Sequence, residues 1–370
     1  MDVLYELWLH AICKFEPDVA ATVVSAFDGE ETKLHSVEYE IERLKKMGLA
    51  SEVAERLTDS SYFEQAKEIM EYCEKNDIRI ITKDDKDYPE YLKNMEFPPR
   101  ILFAKGEKIN LNDSLCVSVV GCRKATPHGK EVARQIGYDL AKNGVVVVSG
   151  MAEGIDAEAH IGAIRAGGKT VAVLAGSVDG IYPKSNTKLY YQILKNGMII
   201  SERPPKSAVR KYYYRQRNRI VVGISKGVVI VEGDFGTGTS MTLGIATENN
   251  RDIFAVPGNP LVKQARLPNQ LIDDGAVIVN RIDKVTEYYS DFCSKNKTEE
   301  DEEPILPASK GNSVEQQILE FISDNGGEAL NEEIAEGCNM PLSRLNSYLT
   351  ILVIKGFLRQ ESGNRYILKK

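Results

Sequence analysis

The chain lacks several patterns that would assign it to a broad class of proteins. No apolar run in its 370 residues approaches the roughly 18 residues that cross a bilayer, and Met1-Asp2-Val3 does not open a secretory signal pattern. The six cysteines have no paired metal-site spacing, so we expect reduced thiols. These absences predict a cytoplasmic protein with no membrane segment, and neither a cofactor nor a metal is expected.

Net positive charge is lacking too, which at first argues against a nucleic-acid-binding protein. The formal net charge is −7, but it is unevenly distributed. Residues 1–80 contain 9 Lys and Arg against 18 Asp and Glu, whereas residues 81–293 contain 29 against 23. Because the positive charge is confined to the central region, the charge of the whole chain is a poor guide to its partners.

Aliphatic runs that each lead into a loop with glycine or proline dominate the central region. Runs of this kind are typical of strands buried on both faces, and the segments between them are long enough for helices. The alternation predicts an α/β fold with a doubly wound, mostly parallel sheet, whose ligands bind beyond the carboxyl ends of the strands. The runs are Val117–Val120, Val145–Val148, Val171–Leu174, Val228–Val231 and Ile253–Val256.

The sequence predicts three domains and a linker. Residues 1–77 form an N-terminal helical (SAM-like) domain, residues 78–293 the α/β domain, and residues 294–312 a polar linker. Residues 313–370 are predicted to form three helices and a hairpin, which make a winged helix. Within the predicted third helix, the segment Leu342–Ile354 has Arg344 as its only cation, which favours a protein-interaction or regulatory role over duplex reading. The N-terminal helices are predicted at Leu4–Lys14, Val19–Ala26, Ser36–Lys46, Ala50–Asp59 and Tyr62–Asn76.

Two glycine-rich loops have the chemistry of an anion site. Arg123 and Lys124 stand beside a predicted helix start, where backbone N–H groups favour an anion. A tight turn with solvated charges fits the same residues. The segment 233–240 can wrap a phosphate with amides and hydroxyls, whether of a nucleic acid or of a nucleotide, and it can equally be a capping turn. In a third loop, Asp156 is predicted to cap a helix and His160 to be a packing residue.

A basic segment that is interleaved with aromatic residues gives the strongest indication of a nucleic acid. Residues 206–219 contain six Lys and Arg, no acid and three consecutive tyrosines. Cations that follow phosphates and rings that stack on unpaired bases are the chemistry of single-strand binding. The alternative is a solvated charged loop with one or two tyrosines packed inward.

The motifs together resemble the bacterial DNA-processing protein A (DprA/Smf) family. The resemblance covers about residues 78–285 in the expected order. It rests on motifs of the central region: 120–123, 147–156 with 159–160, 173–176 with 182–183, 200–202, 217–220, 256–258 and 271–276.

The resemblance implies an extended Rossmann-like domain that binds single-stranded DNA without base specificity. It also implies a homodimer that loads a RecA-type recombinase onto incoming DNA in natural transformation, and a mediator that is not an enzyme. Arg123 and Lys184 match DNA-contacting positions of the family, and Arg217 and Arg219 lie in its basic Arg-Asn-Arg turn. The candidate nucleic-acid-binding residues are Gly121, Arg123, Lys124, Ser149, Gly150, Lys184, Lys211, Tyr214, Arg215, Arg217, Arg219, Gly238, Thr239 and Ser240.

Some positions depart from the pattern of the family. Glu153 stands where the family usually has arginine, and Tyr214-Arg215 replaces its Phe-Pro. The family has a Ser-x-Gly-x-Asn pattern at 265–269, where this chain has Ala265, Leu267 and Asn269. Only the asparagine is kept, so a pocket wall is expected to differ from that of the family.

An enzyme is the main alternative. Residues 233–239 are weakly similar to the motif of Rossmann-like nucleotide phosphoribohydrolases of the lysine-decarboxylase-like class. That class needs an acid three residues after the motif threonine, where this chain has Ser240 or Thr242. A regulator that senses a nucleotide and acts through the winged helix is a further alternative, and it predicts saturable binding of a mononucleotide.

Overall fold

The structure is a computed structural model that describes residues 3–14, 19–20, 23, 51–293, 314–338, 340–354, 356–361 and 364–369. The chain forms two compact units, Met1–Asn296 and Lys297–Lys370. Within the described residues, no helix is long and apolar enough to span a membrane. The predicted helices at 19–26 and 36–46 and the linker at 294–312 lie wholly or mostly outside the described residues.

A nine-stranded sheet organises the described part of the first unit. Its strand order is β1-β2-β6-β5-β4-β3-β7-β8-β9. All neighbours from β6 to β9 pair in parallel, and β2 is antiparallel to both β1 and β6. The predicted doubly wound, mostly parallel sheet is therefore confirmed. The strands are β1 Arg79–Thr82, β2 Ile101–Gly106, β3 Cys116–Val120, β4 Val146–Ser149, β5 Thr170–Val173, β6 Gly197–Ser201, β7 Gly227–Ile230, β8 Asp252–Ala255 and β9 Val277–Ile278.

Helices cover both faces of the sheet because its aliphatic residues alternate between two cores. Val117 and Val119 of β3 pack in one core with Ile136 of α5, whereas Val120 packs in the other with Ile220 of α8. Among the described residues of this unit, the helices are α1 Val3–Ile12, α2 Ser51–Thr58, α3 Ser61–Lys75, α4 Glu90–Lys93, α5 Pro127–Lys142, α6 Ile155–Arg165, α7 Thr187–Asn196, α8 Tyr213–Ile224, α9 Gly238–Glu248, α10 Arg266–Asp273, α11 Lys284–Tyr288 and α12 Ser290–Cys293.

The N-terminal helices share a hydrophobic core with the sheet. Leu7 and Trp8 of α1 belong to the same buried cluster as Phe103 of β2 and Ala172 of β5. The division at residue 77 between a helical and an α/β domain therefore stays a prediction.

The second unit contains the predicted helices and hairpin, together with one short strand that was not predicted. The new strand, β10, pairs with the far strand of the hairpin, so the sheet order is β10-β12-β11. That this unit is a winged helix stays a prediction. Its elements are α13 Val314–Asp324, β10 Glu328–Leu330, α14 Asn331–Gly337, α15 Leu342–Ile354, β11 Leu358–Glu361 and β12 Arg365–Leu368.

Two predictions about α6 have different outcomes. Asp156 was expected to cap the helix, but the helix begins at Ile155 and its cap is Gly154, which has a φ of 86°. Glycine adopts this left-handed conformation at little cost, so the helix begins two residues earlier than a cap at Asp156 would place it. His160 is a buried packing residue as predicted, with its Nδ1 2.7 Å from Oγ1 of Thr170.

The basic segment differs most from its prediction. Residues 213–224 form the regular helix α8, so the expected Arg-Asn-Arg turn at 217–219 is helical. Its apolar end, with Ile220 and Ile224, packs in the core against the sheet. Burial of this end accounts for a helix in a segment whose charge indicated a loop.

Candidate nucleic-acid interface at the carboxyl ends of the parallel strands

The strand order reverses between β3 and β7, and this point locates the candidate site. From β3 the chain moves outward through β4, β5 and β6, and it then returns to place β7 on the other side of β3. The loops that leave adjacent strands separate at such a reversal and open a crevice. The loops after β3 and β4 line the crevice, together with the first turns of α8 and α9.

Two cavities that share a wall occupy the crevice. The larger has a volume of about 380 Å³ and the smaller about 120 Å³. Arg123, Gly150, Ala152 and Tyr214 line both, so the two cavities form one continuous surface. Eight of the predicted residues line the larger cavity: Gly121, Arg123, Lys124, Gly150, Tyr214, Arg217, Gly238 and Thr239.

A buried glutamate fixes the loop that carries the exposed cations. The Glu232 carboxylate accepts hydrogen bonds from the backbone N–H of Thr126, at 2.8 Å, and from its hydroxyl, at 2.5 Å. The Glu232 carbonyl accepts a third from the N–H of Cys122, at 2.8 Å. Arg123 and Lys124 lie between these anchored residues and are exposed. The loop therefore presents two cations to solvent from a fixed backbone.

Two predicted residues serve the fold at this edge of the sheet. A Cβ at Gly121 would lie 2.5 Å from the Ile155 side chain and 2.8 Å from the Glu232 carbonyl, so the close approach requires glycine. Ser149 is fully buried, and its hydroxyl donates to the carbonyl of Val119 at 2.7 Å. The prediction that Ser149 contacts DNA does not fit this position, because its side chain is engaged inside the sheet.

Tyr214 connects the two cavities and holds a cation against its ring. The Arg123 guanidinium carbon lies 4.7 Å from the Tyr214 ring centroid, and the Tyr182 ring lies 6.4 Å away. Burial raises the pKa of Tyr214. A cation and an aromatic ring are thus in contact at this wall, and these are the kinds of group that bind a phosphate and stack on a base.

Arg217 is also beside Tyr214, at 6.0 Å from the ring centroid, but it is buried. Its Nη1 donates hydrogen bonds of 2.5 Å to the carbonyls of Gly150 and Val173. Burial lowers the pKa of Arg217, and the Asp156 carboxylate opposes this shift. Burial likewise raises the pKa of Asp156, against the opposing charge of Arg217. The two residues form a buried, electrostatically coupled pair under the loop after β4.

The other cations of the basic segment lie outside the lining of both cavities. Arg219 pairs with the buried carboxylate of Glu202 and donates to the carbonyl of Phe97 at 2.5 Å. The DNA contact predicted for Arg219 does not fit these bonds, because the guanidinium is held on another side of α8. Lys211 and Arg215 are exposed, and neither lines the two cavities.

The start of α9 presents backbone amides to the larger cavity. The Ser240 hydroxyl accepts from the N–H of Thr237 at 3.0 Å and donates to its carbonyl at 2.8 Å. The Thr242 hydroxyl donates to the carbonyl of Gly238 at 3.0 Å. The hydroxyls of Ser240 and Thr242 therefore serve the helix, and the residues of this segment that line the cavity are Thr237, Gly238, Thr239 and Thr242. First-turn N–H groups lack intrahelical partners and attract an anion.

Lys184 is exposed in a short 3₁₀ turn next to the smaller cavity but is not part of its lining. Its neighbour Pro183 lines that cavity together with Glu153. The Ser185 hydroxyl donates to the Glu153 carboxylate at 2.6 Å. The glutamate that departs from the family pattern is thus held at the rim by the lysine-bearing turn.

The departure at Ala265 and Leu267 lies outside both cavities. Ala265 and Leu267 are 3% and 2% exposed and pack inside the first unit. The retained Asn269 bonds through its side-chain amide to both the N–H and the carbonyl of Gly258, each at 2.9 Å. These residues support the loop after β8, and the changed pocket wall that was expected there is not part of the lining of the two cavities.

Sequence reasoning missed three residues that shape the crevice. Glu232 follows β7 with no motif to mark it, and Asp156 was recognised only as a helix cap. Tyr182 lines the smaller cavity and was noted only as part of a family motif. The Glu232 carboxylate bonds the loop after β3 and the charged neighbour of Asp156 is Arg217, so both carboxylates have partners far along the chain that local spacing does not reveal.

Comparison with known proteins agrees with the fold and the motifs. A family model described as DNA recombination-mediator protein A matches residues 79–290. The DNA processing protein DprA of Bacillus subtilis is 38% identical over 199 residues, which cover 54% of this chain and 67% of that protein. Protein Smf of Escherichia coli is 32% identical over 306 residues, which cover 81% of this chain and 80% of the relative.

Solved structures agree as well. The X-ray structure of DprA from Streptococcus pneumoniae superposes with a TM-score of 0.66 at 27% identity, covering 77% of this chain and 98% of that one. DprA from Helicobacter pylori, solved to describe its single-stranded DNA binding mode, superposes with a TM-score of 0.53 at 27% identity, covering 58% and 96%. The family model, the relatives and the extended Rossmann-like sheet agree, and this chain belongs to the DNA-processing recombination-mediator protein A (DprA/Smf) family.

Proposed function

We propose that the crevice binds single-stranded DNA without base specificity. The observation that carries the proposal is the Arg123–Tyr214 pair, which lines both cavities and places a cation beside an aromatic face. A single strand needs both groups in alternation, because each nucleotide brings one phosphate and one base. The described single-strand binding of the Helicobacter pylori relative supports the same ligand class.

Phosphate binding would use groups that the fold already holds in place. Arg123 and Lys124 are exposed on the loop anchored by Glu232, and the first turn of α9 faces the same cavity. Charged donors and helix-start amides complement a phosphate without recognising the base next to it. We therefore expect affinity that depends strongly on salt and weakly on sequence.

The shape of the crevice favours a strand over a duplex. Tyr214 and Tyr182 line the smaller cavity, and stacking on them requires a base that has left the helical stack. In a duplex the bases are paired and stacked inside the backbone. Duplex DNA should therefore use only the cations and bind more weakly.

Titrations of the full chain with labelled oligonucleotides test this proposal. A 30-nucleotide mixed single strand should bind at least about tenfold more tightly than the matching duplex, with a log–log salt slope of several units. Mononucleotides should neither compete at comparable concentration nor be hydrolysed. Equal binding of strand and duplex would contradict the proposal, and saturable mononucleotide binding or hydrolysis would favour the nucleotide-binding alternatives.

We further propose that the protein acts as a homodimer that loads a RecA-type recombinase onto the bound strand in natural transformation. The match to a recombination-mediator family supports this role. The test is the rate at which the host recombinase assembles on single strands coated by single-strand-binding protein. The protein should shorten the lag of assembly, and an unchanged lag would contradict the mediator role.

A further inference from the structure

Arg217 has the position of a support beneath the crevice. Its side chain is buried, with 7% of the residue exposed, and Nη1 bonds the carbonyls of Gly150 and Val173. Gly150 follows the last residue of β4, and Val173 is the last residue of β5. One guanidinium thus joins the carboxyl ends of two neighbouring strands at the place where the candidate site opens.

The charge of Arg217 is balanced inside the protein. Asp156 is the charged group that raises the pKa of Arg217 against burial, and its own carboxylate accepts the N–H of Gly150 at 3.2 Å. Gly150 is therefore held from both sides, by Asp156 at its N–H and by Arg217 at its carbonyl. A buried, compensated cation attracts a phosphate far less than an exposed one does.

Gly150 leaves room for the guanidinium. A Cβ at this position would lie 2.0 Å from Nη1 and 2.4 Å from Cζ of Arg217. An alanine would therefore have to displace the Arg217 side chain, and the displacement breaks both carbonyl hydrogen bonds. The glycine and the arginine form one packing unit, so a change in either should have the same consequence.

The support reaches the exposed cation through Tyr214. The Arg217 guanidinium carbon is 6.0 Å from the Tyr214 ring centroid, and that of Arg123 is 4.7 Å from it. Loss of Arg217 would free both the loop after β4 and the ring on which Arg123 rests. Those two features are the wall that the cavities share.

We propose that Arg217 is a positioning residue for the strand-binding crevice, which acts through the Gly150 carbonyl and the Tyr214 ring and makes no phosphate contact. This inference rests on the proposed function. It separates two arginines that the sequence groups together: Arg123 would neutralise a phosphate, and Arg217 would hold the surface that presents Arg123.

The salt dependence of binding distinguishes these roles. Removing a phosphate contact flattens the log–log salt slope by about 0.7 for a single strand, because fewer counterions are released. Removing a positioning residue lowers the affinity at every salt concentration and leaves the slope unchanged. A role in stability alone would lower the unfolding midpoint and leave the affinity of the folded protein unchanged.

The experiment compares Arg217→Met, Gly150→Ala and Arg123→Ala with the parent chain over a salt series. We expect Arg217→Met and Gly150→Ala each to lose on the order of tenfold in affinity, with the same slope of log affinity against log salt concentration as the parent chain. The double variant should lose no more affinity than either single variant. Only Arg123→Ala should flatten the slope. A flattened slope for Arg217→Met, or parent-like binding by Gly150→Ala, would overturn the inference.

Hydrogen exchange without DNA keeps this test independent of the proposed function. Amides of residues 150–154 should exchange faster in Arg217→Met and Gly150→Ala than in Arg123→Ala, and unchanged exchange would overturn the positioning role. Arg217→Lys, which keeps the charge and one donor group, guards against a variant that fails to fold and should regain part of the affinity. A parent chain that binds no single strand would refute the proposed function, while the exchange data would still decide whether Arg217 holds the loop.

Discussion

The loop after β3 and helix α8 are both rich in arginine and lysine, yet the structure uses their charges differently. In the loop, Arg123 and Lys124 are exposed on a backbone fixed by Glu232. In the helix, Arg217 and Arg219 are engaged with carbonyls and a buried carboxylate inside the protein. A count of positive charge treats the two regions as equal. The comparison teaches that the number of partners inside the fold decides which cations are free to bind a polyanion.

The largest expected effect is on stability and concerns the helix. Arg219→Ala would remove the ion pair between Arg219 and the Glu202 carboxylate, which belongs to a residue that is 3% exposed. Removing one member of a buried pair costs about 3 kcal/mol. Denaturant unfolding of the first unit should show this loss, with Lys195→Ala, an exposed change at the end of α7, as the charge-matched control. If the variant is as stable as the parent chain but binds single-stranded DNA more weakly, Arg219 contacts the DNA and the structural role is wrong.

The next effect is on binding and concerns the loop. Arg123→Ala should weaken single-strand binding by about 2 kcal/mol, because it removes an exposed cation together with its contact to Tyr214. Fluorescence anisotropy measures the loss, and its salt series should show a slope flatter by about 0.7. Lys195→Ala removes the same charge at the opposite edge of the sheet and should leave both values unchanged. Equal losses in the two variants would mean that general charge attraction, and not this loop, governs binding.

A smaller effect is expected from the aromatic residue that connects the two regions. Tyr214→Leu keeps the apolar volume and removes the flat ring, so it should cost about 1 kcal/mol of stacking free energy. Because no phosphate contact is removed directly, the salt slope should stay the same. Binding to an abasic oligonucleotide is the control, since the parent and the variant should bind it almost equally. If the variant loses as much affinity for the abasic strand as for the normal one, Tyr214 positions the groups that contact the DNA backbone and does not stack on bases.

The smallest effect is expected at the rim. Lys184→Ala should reduce the affinity by about threefold, because the side chain is exposed beside the smaller cavity and a solvated ion pair contributes less than about 1 kcal/mol. Glu153→Gln should increase the affinity by a similar factor, since it removes a negative charge from the same rim. Titration of both variants at low salt measures these changes. If Lys184→Ala loses as much affinity as Arg123→Ala does, the turn at 184–186 and not the loop after β3 is the main DNA contact.

The sheet was predictable because buried parallel strands leave a strong local pattern. Runs such as Val117–Val120 and Val228–Val231 coincide with β3 and β7 to within one residue at each end. Helix starts were less predictable. The segment 233–240 was predicted to be a phosphate-binding loop or a capping turn, but α9 already begins at Gly238, because glycine and hydroxyl residues suit a loop and a first helical turn equally well.

The roles of the individual cations were not predictable from sequence spacing. Arg217 and Arg219 are two residues apart in one basic segment, but α8 turns them toward different partners. Their partners, the Gly150 carbonyl and Glu202, are contributed by other strands and loops. Only the folded chain brings such groups together. A residue count can therefore predict a basic surface, but it cannot distinguish the cations that contact DNA from those that hold the fold.

Photo-crosslinking tests the central account most directly. A single strand that carries 5-iodouracil, irradiated with the full chain and mapped by mass spectrometry, should crosslink to Tyr214 and Tyr182 at the carboxyl ends of the parallel strands. Excess unlabelled single strand should abolish these crosslinks, and excess mononucleotide should not. Crosslinks confined to residues of the second unit, or to helices at the opposite edge of the sheet, would contradict the account.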